Sequence, residues 1–184
     1  MSIDSVQAMI KTGRVQLTKV QLFWHFLVVG IFFVPPVMHL WYVFQFYVLN
    51  SYDGVYTLSE MAKWSYLPLI PASIIYFIQR KRLEFKEIPV VVTSEVFLEA
   101  VKRTAIQGKW EIVSKKAHIV TARTDFTWQS WGELITVIRD NERVLFNSIC
   151  DPDNHTSIAS WGRNRENFEV FKSILFEQMS SSKK

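Results

Sequence analysis

The sequence predicts an α+β protein, with an N-terminal two-helix transmembrane hairpin followed by a small antiparallel-sheet domain. Residues 20–52 contain no Asp, Glu, Lys or Arg, and neither do residues 64–79. An uncharged apolar run longer than about 18 residues is typical of a membrane span, because hydrocarbon tolerates uncharged helix. From residue 84 onward, apolar residues instead follow the periodicities of amphipathic strands and helices.

Composition limits the classes of function. The chain has 184 residues, enough for a hairpin and one small domain, and a formal net charge of +4. The basic excess lies beside the apolar runs, which favours lipid headgroups over nucleic acid as partners. Cys150 is the single cysteine, so the chain cannot form an intramolecular disulfide.

Residues 1–19 are predicted to be either an amphipathic segment at the membrane interface or a tail. Val6, Met9, Ile10 and Leu17 recur at helical spacing. Basic residues lie among them, which is typical of a helix that rests on anionic headgroups. The pattern leaves both alternatives open.

The hairpin is predicted over residues 20–83, with spans at about 22–42 and 64–79. As one straight helix, the uncharged run around the first span is about 50 Å long, whereas the hydrocarbon core is about 30 Å thick. We therefore expect a kink at Pro35 and Pro36, since proline removes a helical donor and clashes with the preceding turn.

The basic flanks predict the orientation of the hairpin. Between the two spans only Lys63 is basic, whereas both outer flanks are rich in cations. Cytoplasmic flanks carry the excess of Lys and Arg, so both termini are expected in the cytoplasm of a bacterium, with the hairpin in its inner membrane. The flanking cations are Lys11, Arg14 and Lys19 before the first span and the membrane anchors Arg80, Lys81 and Arg82 after the second.

Residues 84–179 are predicted to form a cytoplasmic α+β domain, with a disordered tail at 180–184. Ser94 and Asn164 are expected to cap its two helices, and Gly108 to end the first. The predicted strands are 88–93, 109–114, 117–124, 134–139, 143–150 and 156–161, and the predicted helices begin at 94 and span 165–179.

The resulting element order is strand, helix, four or five strands, helix. This order resembles the TATA-binding-protein-like and helix-grip folds, in which a curved antiparallel sheet wraps a C-terminal helix. The resemblance covers residues 88–179 and rests on topology alone, so it carries no function. A pleckstrin-homology-like barrel is the second choice.

No catalytic, cofactor or metal site is predicted. His25 and His39 lie fourteen positions apart in one span, a spacing that haem proteins use, but the second span has no histidine to complete the ligand set. Residues 151–155 gather oxygen ligands and one imidazole without the Gly and Glu of a calcium loop. Nucleophile elbows and phosphate-binding loops are absent from the sequence.

The predicted interaction surface is a group of aromatic and polar residues between the strands. Two Ser-Trp-Gly triplets, at 130–132 and 160–162, are expected near one another. Trp and Arg are frequent at recognition surfaces, because they bury much area and bond well. The alternative is that the Trp rings close the end of the sheet. The candidate residues are Trp128, Trp131, Trp161, Arg163 and Asn164.

These observations favour a non-enzymatic accessory or scaffold subunit of an inner-membrane complex. Its expected partners are membrane lipids and other integral membrane proteins or a second copy of the chain, and not nucleic acid. The alternative is a carrier of a lipid or small hydrophobic ligand in a cavity between the sheet and the C-terminal helix. An enzyme is the third alternative, because catalytic residues can assemble from distant positions.

Overall fold

The computed structural model describes residues 3–125, 132–153 and 162–182, and in them helices cover a five-stranded antiparallel sheet, which confirms the α+β class. The helices are α1 (Ile3–Thr12), α2 (Lys19–Ile31), α3 (Val34–Phe44), α4 (Leu58–Ser65), α5 (Leu69–Arg82), α6 (Ser94–Gly108) and α7 (Arg163–Ser181), with a π-helical turn at Gln45–Leu49. The strands are β1 (Lys86–Ile88), β2 (Trp110–Lys116), β3 (Ile119–Thr124), β4 (Glu133–Arg139) and β5 (Val144–Cys150).

The sheet is open, with the order β1-β5-β4-β3-β2 and antiparallel pairing throughout. The order of elements from β1 to α7 is strand, helix, four strands, helix, as the periodicity predicted. β1 and β2 are the two edges, so the described strands do not close into the pleckstrin-homology-like barrel that was the second choice. The predicted last strand, 156–161, lies outside the described residues.

One face of the sheet packs against α6 and α7. Phe146 of β5 stacks on Phe171 of α7 with ring centroids 5.3 Å apart, and Phe97 of α6 is fully buried beside them. Ile135 and Leu175 also belong to this cluster, and both are 0% exposed. The interior between the sheet and the C-terminal helix is therefore filled by side chains.

The other face of the sheet packs against α1. Met9 is 0% exposed and lies in one cluster with Ile138 and Leu145 from β4 and β5. All seven residues of β5 are buried, because helices cover both faces of this strand. The sequence predicted that the apolar face of α1 rests on lipid or belongs to a tail, whereas it forms part of the protein core.

A short β-bridge, which we call the neck, joins residues 13–15 to residues 83–85. The Val15 amide donates to the Leu83 carbonyl at 2.8 Å, and the Phe85 amide donates to the Gly13 carbonyl at 2.9 Å. Gly13 has φ +65°, a left-handed conformation that favours glycine and turns the chain out of α1. The chain therefore leaves the sheet domain and returns to it at one point.

The helices between the two sides of the neck form an extended arm, residues 19–82. α2 and α3 are bent by 65° at Phe32 and Phe33, immediately before the two prolines. Proline is tolerated in the first turn of a helix, where its missing N–H has no intrahelical acceptor, so α3 begins anew there. The predicted kink is present, and it lies just before Pro35.

Among the described residues, one helix is long and apolar enough to cross a membrane. It is the 25-residue combination of α4 and α5, Leu58–Arg82, and it contains the predicted second span. The bent pair of α2 and α3 qualifies only when it is counted as a single span. These assignments rest on length and composition, so the two-span hairpin stays a prediction.

Several element boundaries differ from the predictions for local reasons. β1 ends before Pro89, which lacks the N–H that a strand ladder needs, so residues 89–93 are not a strand. Thr93, not Ser94, caps α6 by accepting from the Val96 amide. At α7 the N-cap is Gly162 with φ +86°, and the predicted cap Asn164 lies inside the first turn.

Candidate interaction site

The two segments that carry the predicted tryptophans leave from one end of the sheet, which we call the sheet end. The first residue of β4, Glu133, pairs with the last residue of β5, Cys150, and the Asp151 amide donates to the Gly132 carbonyl at 3.1 Å. The first segment, 126–131, ends beside Gly132, and the second segment, 154–161, begins after Asp153. Their attachment points are neighbours. Trp128, Trp131 and Trp161 themselves lie outside the described residues.

A polar cavity of about 470 Å³ lies at the sheet end, and we call it the sheet-end pocket. It is lined by the C-terminal end of α6, the start of β2, the end of β3, the start of β4 and the first two turns of α7. Its charged lining residues include both signs, so it suits a polar or zwitterionic group better than a lipid chain. The charged residues are Lys109, Asp125, Glu133, Arg163 and Glu166.

Three lining residues of the sheet-end pocket are buried, and Thr104 is one of them at 0% exposure. Glu133 is 1% exposed and Trp110 is 7% exposed. The indole N–H of Trp110 has no hydrogen-bond partner among the described residues. A Cβ on Gly108 would come within 2.4 Å of this indole nitrogen, so the close approach of the ring requires glycine at this position. As the sequence predicted, α6 ends at Gly108, and the left-handed cap is the next residue, Lys109, with φ +53°.

The structure separates the two described members of the predicted interaction surface. Arg163 lines the sheet-end pocket, and its guanidinium Nη1 lies 3.7 Å from the carboxylate of Glu166. Asn164 lines a different cavity on the other side of α7, and its Oδ1 accepts from the Ser148 hydroxyl at 3.1 Å. Arg163 and Asn164 therefore do not contribute to one contiguous pocket.

The acidic turn that follows β5 is engaged by arginine. Arg123 Nε lies 3.1 Å from Asp151 Oδ2, and Arg123 Nη2 pairs with Asp153. Burial raises the pKa of the Asp151 carboxyl, while the nearby guanidinium opposes that rise. No group of three metal-ligating side chains occurs among the described residues, although His155 lies outside them. A guanidinium occupies the place that a cation would take between the two carboxylates.

The two histidines of the first apolar run tie helices of the arm together. His25 Nε2 donates to the Gln79 carbonyl of α5 at 3.1 Å. His39 Nε2 donates to the Leu58 carbonyl at 3.1 Å, so its Nδ1 accepts from the Tyr66 hydroxyl at 3.0 Å. Both ring nitrogens of His39 are engaged by protein groups, which favours a structural role over axial ligation.

Trp110 and Glu133 were not predicted from the sequence as members of a site. Their elements are separated along the chain from α7, and no spacing rule brings them together. One local signal was present, because Glu133 is the single acidic residue of β4 and begins a strand that is mostly apolar. Such a position indicates either a buried partner or a ligand.

No protein family, curated protein or solved structure matches this chain. Any function of the sheet-end pocket therefore has to follow from its own residues. Its polar lining and its three buried side chains, Thr104, Trp110 and Glu133, are features that binding pockets share.

Proposed function

We propose that this chain is a non-enzymatic accessory or scaffold subunit of a bacterial inner-membrane protein complex. In this proposal the arm crosses the bilayer twice, and the sheet domain binds a partner protein on the cytoplasmic side. The observation that carries the proposal is the exposure of the arm. Only 11% of the most apolar 18-residue window of Leu58–Arg82 is buried, whereas the core helix of a water-soluble protein is mostly buried.

Individual side chains of the arm support a lipid environment. Trp64 is 74% exposed, Phe77 is 66% exposed and Ile70 is 61% exposed, all on the same long helix. Water-soluble monomers rarely expose a contiguous apolar patch of more than a few hundred Å². Transfer of apolar surface from water into hydrocarbon is favourable by roughly 25 cal/mol per Å², so this arm favours insertion.

The charges near the neck support the proposed orientation. Arg14 precedes the arm, and Arg80, Lys81 and Arg82 form the last turn of α5. The far turn between the halves of the arm carries Asp53 and Glu60, with Lys63 as its only cation. Positive flanks are retained in the cytoplasm, which favours both termini and the sheet domain on that side.

The neck also favours a partner that is itself bound to the membrane. Three consecutive residues on each side pair across it, so the sheet domain is held next to the end of α5. A domain restrained in this way meets a membrane-bound partner at high effective concentration. Of the described surfaces, the sheet-end pocket is the best suited to a polar segment of that partner.

The carrier alternative requires a cavity between the sheet and the C-terminal helix, and the packing there does not support one. The helix-grip-like arrangement was expected to leave a cavity between the sheet and the C-terminal helix. Phe97, Phe146, Phe171 and Leu175 fill that interface at 0 to 1% exposure. The partner-binding proposal therefore takes precedence.

Two matched arginines test the partner-binding proposal. The chain is solubilised from the membranes of its own bacterium in mild detergent and purified. A second integral membrane protein should co-purify with it in a stoichiometric amount. Arg163→Ala should reduce that retention at least tenfold, as for an interface residue of hot-spot rank. Arg165→Ala, two positions along the same helix and not in the sheet-end pocket, should leave it within twofold.

Equal loss of the partner in both arginine variants would contradict recognition through the sheet-end pocket. Release of the chain by alkaline carbonate, which strips peripheral proteins, would contradict the membrane anchor itself. A single co-purifying small molecule with no partner protein would favour the carrier alternative.

A further inference from the structure

A second cavity lies where α5 meets the sheet domain. It has a volume of about 260 Å³ and is formed by the last turn of α5, the neck, β5 and the first turn of α7. We call it the α5-foot pocket. Cations and small polar groups line it, and Phe146 closes its apolar side. The polar lining residues used below are Lys81, Arg82, Glu84, Lys86, Ser148 and Asn164.

The cations of the α5-foot pocket have no carboxylate within ion-pair distance among the described residues. Lys81, Arg82 and Lys86 form no ion pair within the described part of the chain, in contrast to most arginines of the sheet domain. Glu84, the one carboxylate in the lining, is committed to Arg14 at 2.8 Å. With three cations and one carboxylate in its lining, the pocket carries a net positive charge, which attracts an anion.

The ammonium group of Lys86 is held in place over an aromatic ring. Its Nζ lies 4.6 Å from the centroid of Phe168, a cation–π distance. Partial burial lowers the pKa of Lys86, Glu169 opposes that shift, and Arg165 adds to it by repulsion. A positioned cation beside a second positive group is an arrangement that a bound anion stabilises.

An apolar groove on the same helix leads toward these cations. The groove has a volume of about 560 Å³ and runs between α2 and α5, where Phe26, Ser73 and Phe77 are among its lining residues. Ser73, Phe77 and Lys81 are spaced by four, so they follow one another along one side of α5. Lys81 therefore lies on the same side of α5 as the apolar groove, one turn closer to the C-terminal end of the helix.

We infer that the α5-foot pocket binds the phosphate of an anionic phospholipid of the cytoplasmic leaflet, whose acyl chain lies along the groove between α2 and α5. The inference rests on the proposed membrane insertion of the arm, because that insertion puts the last turn of α5 at headgroup depth. Lys81, Arg82 and Lys86 neutralise the phosphodiester. An electroneutral lipid lacks the net charge that this potential selects.

Native mass spectrometry of the full-length chain in a neutral mild detergent tests the inference. Titration with phosphatidylglycerol should give a first adduct at markedly lower concentration than titration with phosphatidylcholine. Lys86→Gln should weaken that adduct about fivefold, as expected for one cation near a headgroup. Lys172→Gln removes the same charge from a lysine 6.0 Å from the same Phe168 ring but outside the pocket, and it should change the adduct less than twofold.

A second variant separates binding from folding. Asn164→Asp keeps the oxygen that accepts from Ser148 and adds a negative charge to the first turn of α7, where it stabilises the helix. The same charge repels a phosphodiester, so the variant should fold at least as well as the parent yet bind phosphatidylglycerol several-fold more weakly. Unchanged binding in both Lys86→Gln and Asn164→Asp would overturn the inference.

Two further measurements identify the source of the anion. Displacement of the first phosphatidylglycerol by an equal concentration of inorganic phosphate would overturn the lipid assignment in favour of free phosphate. A chain that alkaline carbonate extracts from membranes contradicts the proposed function as well. A chain that stays in the membrane but binds both lipids equally contradicts only the inference about the pocket.

Discussion

The guanidinium of Arg14 and the carboxylate of Glu84 meet at 2.8 Å across the neck, although 70 positions separate them in the chain. Backbone hydrogen bonds flank this ion pair on both sides. The pairing makes the sheet domain discontinuous in sequence, because α1 lies before the arm and the sheet lies after it. The arm is thus an insertion into a domain whose two parts pack together.

This organisation predicts the behaviour of truncated chains. Replacing residues 19–82 with a short Gly/Ser linker should give a soluble, cooperatively folding protein, since the two sides of the neck are already adjacent. Residues 84–184 alone should aggregate, because the loss of Val6, Met9 and Val15 exposes the second face of the sheet. Size-exclusion chromatography and thermal melts of both proteins would show this, and a well-folded 84–184 fragment would contradict the core role of α1.

The ion pair at the neck is expected to contribute little by itself. Its side chains are 38% and 45% exposed, so solvent screens the attraction. In the linker-replaced protein, a double-mutant cycle of Arg14→Ala and Glu84→Ala should give a coupling free energy below about 1 kcal/mol. A much larger coupling would show that the ion pair, and not the backbone bridge, holds the neck together.

The sequence predicted most of the sheet domain because its local patterns and its tertiary structure agree. The helix that begins near Ser94 has a capping hydroxyl and an apolar face, and each hairpin consists of two β-rich runs joined by a short polar turn. The position of α1 was predicted wrongly, at the membrane interface or in a tail instead of against the sheet, and the reason is physical. An amphipathic helix has one pattern whether its apolar face meets lipid or a sheet, and the deciding residues, Ile138 and Leu145, lie far along the chain.

The candidate site was only partly predictable. Arg163 was predicted to belong to an interaction surface, and it lines the sheet-end pocket. Trp110 and Glu133 join it only through the packing of α6 and α7 on the sheet. Lys86 was not predicted as a ligand-binding residue, since its cation–π contact with Phe168 depends on the same packing.

Gly108 is expected to be sensitive to the addition of a single methyl group. Gly108→Ala forces a Cβ against the indole of Trp110, and overpacking of this kind costs about 1 to 3 kcal/mol of unfolding free energy. Gln107→Ala, its exposed neighbour on α6, should change stability by no more than about 0.5 kcal/mol. Denaturant melts of the linker-replaced protein measure both, and equal effects would contradict the close contact with Trp110.

Asp151 is expected to make the stability of the sheet domain depend on pH. Burial raises its folded-state pKa above the unfolded value of about 3.9. A raised carboxyl pKa contributes stability that is fully present below about pH 4 and is lost as the pH rises through the folded-state pKa. Asp151→Asn should therefore flatten this part of the profile of unfolding free energy against pH.

The readout for Asp151 is the slope, because Asp151→Asn also removes the ion pair with Arg123 and so changes the absolute stability. Glu142→Gln, at the exposed turn between β4 and β5, serves as the control and should leave the slope in place. An unchanged slope in Asp151→Asn would contradict the assignment.

Membrane orientation can be tested with cysteines placed on the two sides of the arm. Cys150 is buried at the end of β5, so it is a poor reporter of compartment and should react slowly on either side. Val55 is 96% exposed in the turn between α3 and α4, and Glu142 lies at an exposed turn of the sheet domain. In spheroplasts treated with a membrane-impermeant maleimide, Val55→Cys should label at once, and Glu142→Cys should label only after permeabilisation.

The reverse pattern would invert the topology and remove the cytoplasmic leaflet as the source of the bound lipid. Labelling of both positions in intact spheroplasts would contradict two crossings, because a single span separates the far turn from each terminus and puts the two on opposite sides of the membrane.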